Sequence, residues 1–187
     1  MVLTLIIPLK NYKIALMKFY KKTTSKLKKK EILDIVKLKN SQWNFGISSQ
    51  LKWFNNKKNV FRDDFHFFLK KEEKIIGYVQ IGKRKYILNT KEKNYYLFRT
   101  LIILKKERSK KLSNKIMREV SDFVKKKKRP SFLTCKKKLI KFYKRYGWLK
   151  LNKKKFKIED HKNLMAGMIY NLNKKEKKKI IKFYYNV

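Results

Sequence analysis

The stretch Thr100–Met117, TLIILKKERSKKLSNKIM, decides how this chain reads. An apolar strand runs straight into a short polar loop, and that loop opens a helix. The N–H groups in the first turn of a helix have no carbonyl to bond within it, and the helix dipole adds positive character there. A junction of this kind is a ready anion site.

Downstream, residues 109–127 keep a helical period through Leu112, Ile116, Val120, Phe123 and Val124. Ser131–Cys135 reads as a short buried strand. Lys137–Tyr146 reads as a helix closed by Gly147, the residue that best tolerates a left-handed C-terminal turn. Phe156–Asp160 and Leu164–Asn171 read as closing strands, and residues 174–187 as a basic tail. Upstream, Tyr95–Leu104 is a strongly apolar strand broken at Arg99 and Thr100. Phe65–Leu69 and Lys74–Ile81 form a hairpin around the polar Lys70–Glu73. Lys28–Asn40 is a helix with Ile32, Ile35, Val36 and Lys39 at helical spacing. Ser48 is the expected N-cap of a second helix carrying Leu51 and Phe54. Residues 18–27 suit an opening strand. Residues 1–16 precede a second methionine, Met17, and are expected to be a disordered or mis-started extension of a single domain spanning 17–173. The order predicts an α+β fold: a mixed, mostly antiparallel sheet flanked by helices as an α/β/α sandwich.

The formal charge is +41, from 54 lysines and arginines against 13 acidic residues. Arginine occurs only at positions 62, 84, 99, 108, 118, 129 and 145, so lysine carries almost all of the charge. Specific phosphate and base recognition favours the rigid guanidinium fork. Abundant Asn, Ile, Phe and Tyr with few Gly and Pro accompany the lysine excess, and together they read as a compositional skew on a solvated surface. Nucleic acid is expected only non-specifically. Cys135 is the single cysteine and histidines number two, which excludes an internal disulfide and argues against a zinc site. Cys135 itself reads as a small buried hydrophobe. The apolar run Leu5–Ile7 is far short of a membrane span and lacks the flanks of a signal peptide, so the expected location is the cytoplasm.

Position for position, Arg108, Lys111 and Ser113 resemble the Arg/Gln-x-x-Gly-x-Gly/Ala loop of the Gcn5-related N-acetyltransferase family. The main departure is Lys111, which replaces a glycine that lets the backbone approach a diphosphate. Leu133–Trp148, LTCKKKLIKFYKRYGW, is similar to that family's next strand and helix. Phe142, Tyr143, Gly147 and Trp148 match its Phe-Tyr-x-x-x-Gly-Phe/Trp signature, while Lys136 stands where many members carry asparagine. Trp43, Gln50, Trp53, Asp64, His66 and the run Ile75–Val79 resemble members with Asp-x-His and Ile-Gly-Tyr on successive strands.

The resemblance implies transfer of an acetyl group from acetyl-CoA, as cosubstrate, directly to an amine acceptor. It implies that backbone amides of Leu101, Ile102 and Ile103 polarise the thioester carbonyl and align the pantetheine. Those of Ser109, Lys110, Lys111, Leu112, Ser113 and Asn114, after Arg108, hold the diphosphate. Tyr143 is the implied general acid for the departing thiolate. Ser131–Cys135 has no carboxylate to serve as base. His66, with an ordinary pKa near 6.5 and Asp64 two residues before it, is one candidate, and a water chain is another. Trp43, Trp53 and Tyr78 are expected to line an acceptor pocket between the two N-terminal helices and the sheet. Two further readings stand beside this one: a basic protein associated with nucleic acid, and a non-catalytic relative with the same fold.

Overall fold

Strands and helices alternate along the chain in an α+β arrangement, with strands paired mostly antiparallel and helices flanking them. The structure, a computed structural model, describes residues 3–5, 17–159, 165–173, 176 and 179–185. The chain divides into two compact units, Met1–Ile81 with Arg99–Ile116 and Gly82–Phe98 with Met117–Val187.

The first unit contains β1 (Leu3–Leu5), β2 (Met17–Thr23), α1 (Lys29–Gln42), α2 (Ile47–Asn55) and β3 (Phe65–Lys71). It also takes in the start of β4 (Lys74–Leu88), the end of β5 (Lys91–Ile103) and the first residues of α3 (Leu112–Lys126). Of the expected extension, only Leu3–Leu5 falls within the described residues, where it pairs antiparallel with Met17–Phe19 of β2. β2 lies antiparallel to β3, with Met17 opposite Lys71 and Thr23 opposite Phe65. β3 and β4 form the expected hairpin, with Phe65 opposite Ile81. Glu72 makes the tight turn at φ 54°.

The period of α1 explains its docking. Ile35, Val36 and Leu38 share a core with Phe54 of α2, Phe68 of β3, Ile75 and Tyr78 of β4, and Ile102 of β5. Each such apolar side chain contributes about 1.5–3 kcal/mol by leaving water. Glu31, in the first turn of α1, is buried and accepts hydrogen bonds from Lys22 Nζ at 2.9 Å, Lys70 Nζ at 3.2 Å and the Lys28 N–H at 3.0 Å. Burial pushes its carboxyl up, but the Lys22, Lys28 and Lys70 bonds outweigh that and hold it below its ordinary value. The N-cap of α2 is Gly46, at φ 81°, and not Ser48. The chain doubles back at Trp43–Phe45, where the Phe45 N–H donates to the Trp43 carbonyl at 2.8 Å. Entry from that turn needs a left-handed residue, which glycine supplies without strain.

The second unit holds the end of β4 and most of β5, then β6 (Ser131–Cys135), α4 (Ile140–Lys144), β7 (Leu149–Lys150), β8 (Phe156–Ile158), β9 (Ala166–Tyr170) and β10 (Ile181–Phe183). β4 runs to Leu88, beyond the expected end at Ile81, and β5 begins at Lys91. The reason is an alternation hidden among lysines: Arg84, Tyr86 and Leu88 point into the unit. Asn89 and Thr90 close the hairpin at φ 49° and 66°. β6 pairs in parallel with Tyr96–Leu97 of β5 and antiparallel with β9, and β9 pairs antiparallel with β7. The stretch expected as a basic tail contributes β10, antiparallel to Tyr86–Leu88 and parallel to β8. Ile181 and Phe183 alternate with lysines, so a strand buries both. The expected helix over Lys137–Tyr146 is a 3-10 turn, Lys137–Leu139, followed by the short α4. Gly147 ends it at φ 79°. Asp160 and Leu164, at the facing ends of the two expected closing strands, lie outside the described residues.

Candidate functional site

In the first unit, β5 leaves its extended path at Thr100, where φ is 63°. A β-branched residue resists that conformation, and holding it there costs about 1–3 kcal/mol. This is the place where the sequence pattern of the strand breaks. Leu101–Ile103 resume the strand, and the Leu104 N–H donates to the Ile76 carbonyl of β4 at 2.8 Å. A 3-10 turn then covers Lys105–Lys110, ending on Lys111 at φ 52°, ψ 21°. Lys111 thus holds a left-handed conformation of the kind glycine adopts most readily. Its side chain is exposed, so its charge reaches solvent at the mouth of α3. The Asn114 N–H donates to the Lys111 carbonyl at 2.9 Å, fixing the first turn of that helix.

Side chains brace this loop. Arg108 Nε donates to the Ile103 carbonyl at 3.1 Å, and its guanidinium also donates to the Gln42 Oε1 of α1. Glu107 is buried and accepts from Lys110 Nζ at 2.7 Å, with Lys71 Nζ 3.8 Å away. Burial raises its carboxyl, but the bond and charge of Lys110, with the charges of Lys71 and Lys106, hold it below its ordinary value. The loop's one carboxylate is thereby neutralised. Beneath, Gly77 of β4 lies so close to α3 and β5 that a Cβ would stand 2.9 Å from Ile103 Cδ1 and 3.0 Å from Ile116 Cδ1. The absent side chain sets how near α3 can approach the strands.

A pocket of about 510 Å³ opens in the same unit. Trp43, Phe45 and Trp53 give it aromatic walls, and Ser49, Gln50, Lys39 and Thr100 complete the lining. Trp43 and Trp53, expected on an acceptor pocket, are thus at a pocket wall. Tyr78 is not: it is fully buried, and its hydroxyl lies 2.7 Å from His66 Nδ1. Lys39 was legible only as a lysine on the apolar stripe of α1. It is 5% exposed, and its Nζ stands 3.6 Å from the centre of the Trp53 ring. Burial, with the nearby charge of Arg99, pulls its pKa down to about 8.

His66, a candidate base from sequence, has a different setting from the accessible one that role needs. It is wholly buried, with Nε2 2.8 Å from Thr24 Oγ1 and Nδ1 facing the Tyr78 hydroxyl. The Thr24 hydroxyl donates to the Phe61 carbonyl at 2.7 Å, so it accepts from an Nε2–H. Nδ1 therefore accepts from Tyr78. Both ring nitrogens are engaged, and no lone pair is offered to an incoming amine. Burial pulls the His66 pKa down to about 4 despite the opposing charge of Asp64, and Lys39 adds to the fall. Asp64 Oδ2 accepts from Gln80 Nε2 at 2.9 Å and from the Phe61 N–H at 3.1 Å. It organises the loop before β3.

In the second unit, Tyr143 of α4 is buried in an aromatic cluster. Its ring meets Phe98 edge-on at 5.9 Å between centres and Trp148 at 6.0 Å. Burial, with a smaller contribution from Cys135, pushes the phenol well above its ordinary pKa. It is a protonated donor at any physiological pH. Cys135 is buried and its thiol is likewise raised by burial. Among the described residues, no group of three or more His, Cys, Asp or Glu is gathered as metal ligands. No helix there is long and apolar enough to cross a membrane.

Residues 48–170 match the family model for the acetyltransferase (GNAT) domain, well over half of the chain. No curated protein sequence matches. Among solved structures, the chain is similar to ElaA of Escherichia coli, with a TM-score of 0.61 at 13% identity over 82% of this chain and 98% of that one. An acyl-CoA N-acyltransferase from Pseudomonas aeruginosa gives 0.60 at 12% identity, covering 82% and 97%. A GNAT-family acetyltransferase from Staphylococcus aureus Mu50 gives 0.59 at 14%, covering 83% and 99%.

Proposed function

The chain belongs to the GNAT acetyltransferase family, and from that premise we propose that it moves an acetyl group from acetyl-CoA to an amine by direct transfer. The family supports acyl transfer in general; the donor, the amine and the residue roles are the proposal. The observation that carries it is Lys111, at the position of the family's first glycine, whose backbone takes the left-handed conformation that glycine adopts most readily. A loop so bent, braced by Arg108 and Lys110 and opening a helix, suits a diphosphate through its main-chain N–H groups. Backbone amides of Ser109–Ser113 are assigned to it, the expected Asn114 N–H being taken by the Lys111 carbonyl, and those of Leu101–Ile103 to the thioester carbonyl and the pantetheine. Acetyl-CoA, when bound, supplies the activated acetyl group as its thioester.

The chain's own residues then have two tasks. Main-chain N–H groups must meet negative charge as it develops, and an acid must protonate the departing thiolate. Tyr143 is assigned the acid by resemblance; its raised pKa keeps it protonated at rest and opposes release of that proton. His66 is left a structural part, and the amine proton is assigned to water.

Thermal unfolding with acetyl-CoA tests the reading. At a concentration of 100 times its dissociation constant, a ligand adds about 2.7 kcal/mol. A rise in melting temperature, together with amine-dependent release of free CoA, is the expected result. A melting temperature unmoved by millimolar acetyl-CoA rejects it.

A further inference from the structure

Lys39 is a buried lysine, and among the described residues no carboxylate pairs with it. Its Nζ faces the Trp53 ring at 3.6 Å, a π face and not a carboxylate, while the side chain lines the pocket. The pocket it lines is otherwise aromatic, and two of the walls, Trp43 and Phe45, are 38% and 70% exposed. Large exposed aromatics around a cavity mark a place where an apolar body docks. A cation held at the wall of such a cavity rejects a ligand whose only charge is positive and favours one that carries a negative group. Among the described residues the lining has one ammonium and no guanidinium, with the charge of Arg99 nearby but outside it, which suits a single-point contact with a carboxylate better than the several donors a phosphate calls for. Thr100 lines the same pocket and is followed directly by the strand residues Leu101–Ile103.

We infer that this pocket receives the acceptor as a small aromatic or apolar amine bearing a carboxylate, with Lys39 binding the carboxylate and Trp43, Phe45 and Trp53 enclosing the body. The inference deepens the acetyl-transfer reading, because it takes the pocket as the acceptor side of that reaction. The carboxylate displaces the Trp53 face as the partner of Lys39.

Titration calorimetry of the full chain, without acetyl-CoA, tests it with three probes. L-Phenylalanine has the ring, the amine and the carboxylate, 3-phenylpropanoate lacks the amine, and phenethylamine lacks the carboxylate. The two carboxylates are expected to bind about tenfold or more tightly than phenethylamine, and Lys39→Met is expected to abolish that preference. Equal or tighter binding of phenethylamine overturns the inference, as does failure of both carboxylates to bind or tighter binding of inorganic phosphate. If Lys39→Met does not fold, the ¹³Cε resonance of Lys39 in the unmodified chain answers instead. Phenylpropanoate must raise its titration midpoint, and an unmoved midpoint overturns the inference. Carboxylate preference without acetyl-CoA binding sinks the transfer reaction alone, whereas acetyl-CoA binding without that preference sinks this inference alone.

Discussion

His66 Nδ1 lies 2.7 Å from the Tyr78 hydroxyl, and that bond belongs to a chain running from Tyr78 through His66 and Thr24 to the Phe61 carbonyl. Each proton in the chain has one acceptor. The neutral imidazole is therefore the folded form, and protonating it means breaking the chain inside the first unit.

Stability should accordingly fall in acid. The folded pKa of His66 is about 4 against an ordinary 6.5, so below pH 6.5 the unfolded chain takes up the proton more readily. The contribution is fully present above pH 6.5 and is lost as pH falls to about 4. At about 1.4 kcal/mol per pH unit, the loss is about 3 kcal/mol. Urea midpoints measured between pH 7 and pH 4 check it, and Tyr78→Phe, which leaves Nδ1 without a donor, should cost about 1–3 kcal/mol at pH 7.

Lys111 offers a test of the loop. A non-glycine residue in the left-handed region costs about 1–2 kcal/mol, while glycine loosens the unfolded chain by about 0.4–1 kcal/mol. The terms oppose one another, so Lys111→Gly should leave stability within about 1 kcal/mol of the parent and keep acetyl-CoA binding. Lys111→Val, β-branched at φ 52°, should lower the melting temperature and weaken acetyl-CoA. Thermal shift with and without the ligand reads both.

Gly77→Ala places a methyl against the Ile103 and Ile116 side-chain ends at 2.9 and 3.0 Å. Both are tips of flexible side chains, so the cost should be about 1–3 kcal/mol and not a failure to fold. Adding Ile103→Val removes one of the clashing methyls and should recover part of the loss by chemical denaturation.

Tyr143→Phe should leave stability and acetyl-CoA affinity nearly unchanged, since the ring contacts with Phe98 and Trp148 remain. If the hydroxyl is the acid, turnover should fall about 100-fold or more. A steady-state comparison of kcat and KM with the parent decides it, and unchanged kcat removes Tyr143 from the chemistry.

The strand–loop–helix order around Arg108, the β3–β4 hairpin and the aromatic helix carrying Tyr143 were all legible in the sequence. Each rests on local periodicity or a contiguous motif. The long ends of β4 and β5 were not, because Arg84, Tyr86 and Leu88 are interleaved with lysines whose charge masks the alternation. β10 was hidden in the same way, by Lys182 between Ile181 and Phe183.

Sequence by itself determined the family loop, the succession of elements and the lysine on the apolar face of α1. Tertiary structure alone decided that His66 is locked between Tyr78 and Thr24, that Lys111 bends as a glycine does, and that Lys39 meets a tryptophan face in a cavity. The reason is physical: periodicity reports which face of an element is buried. The partner of a buried polar atom is chosen by residues brought together from distant parts of the chain.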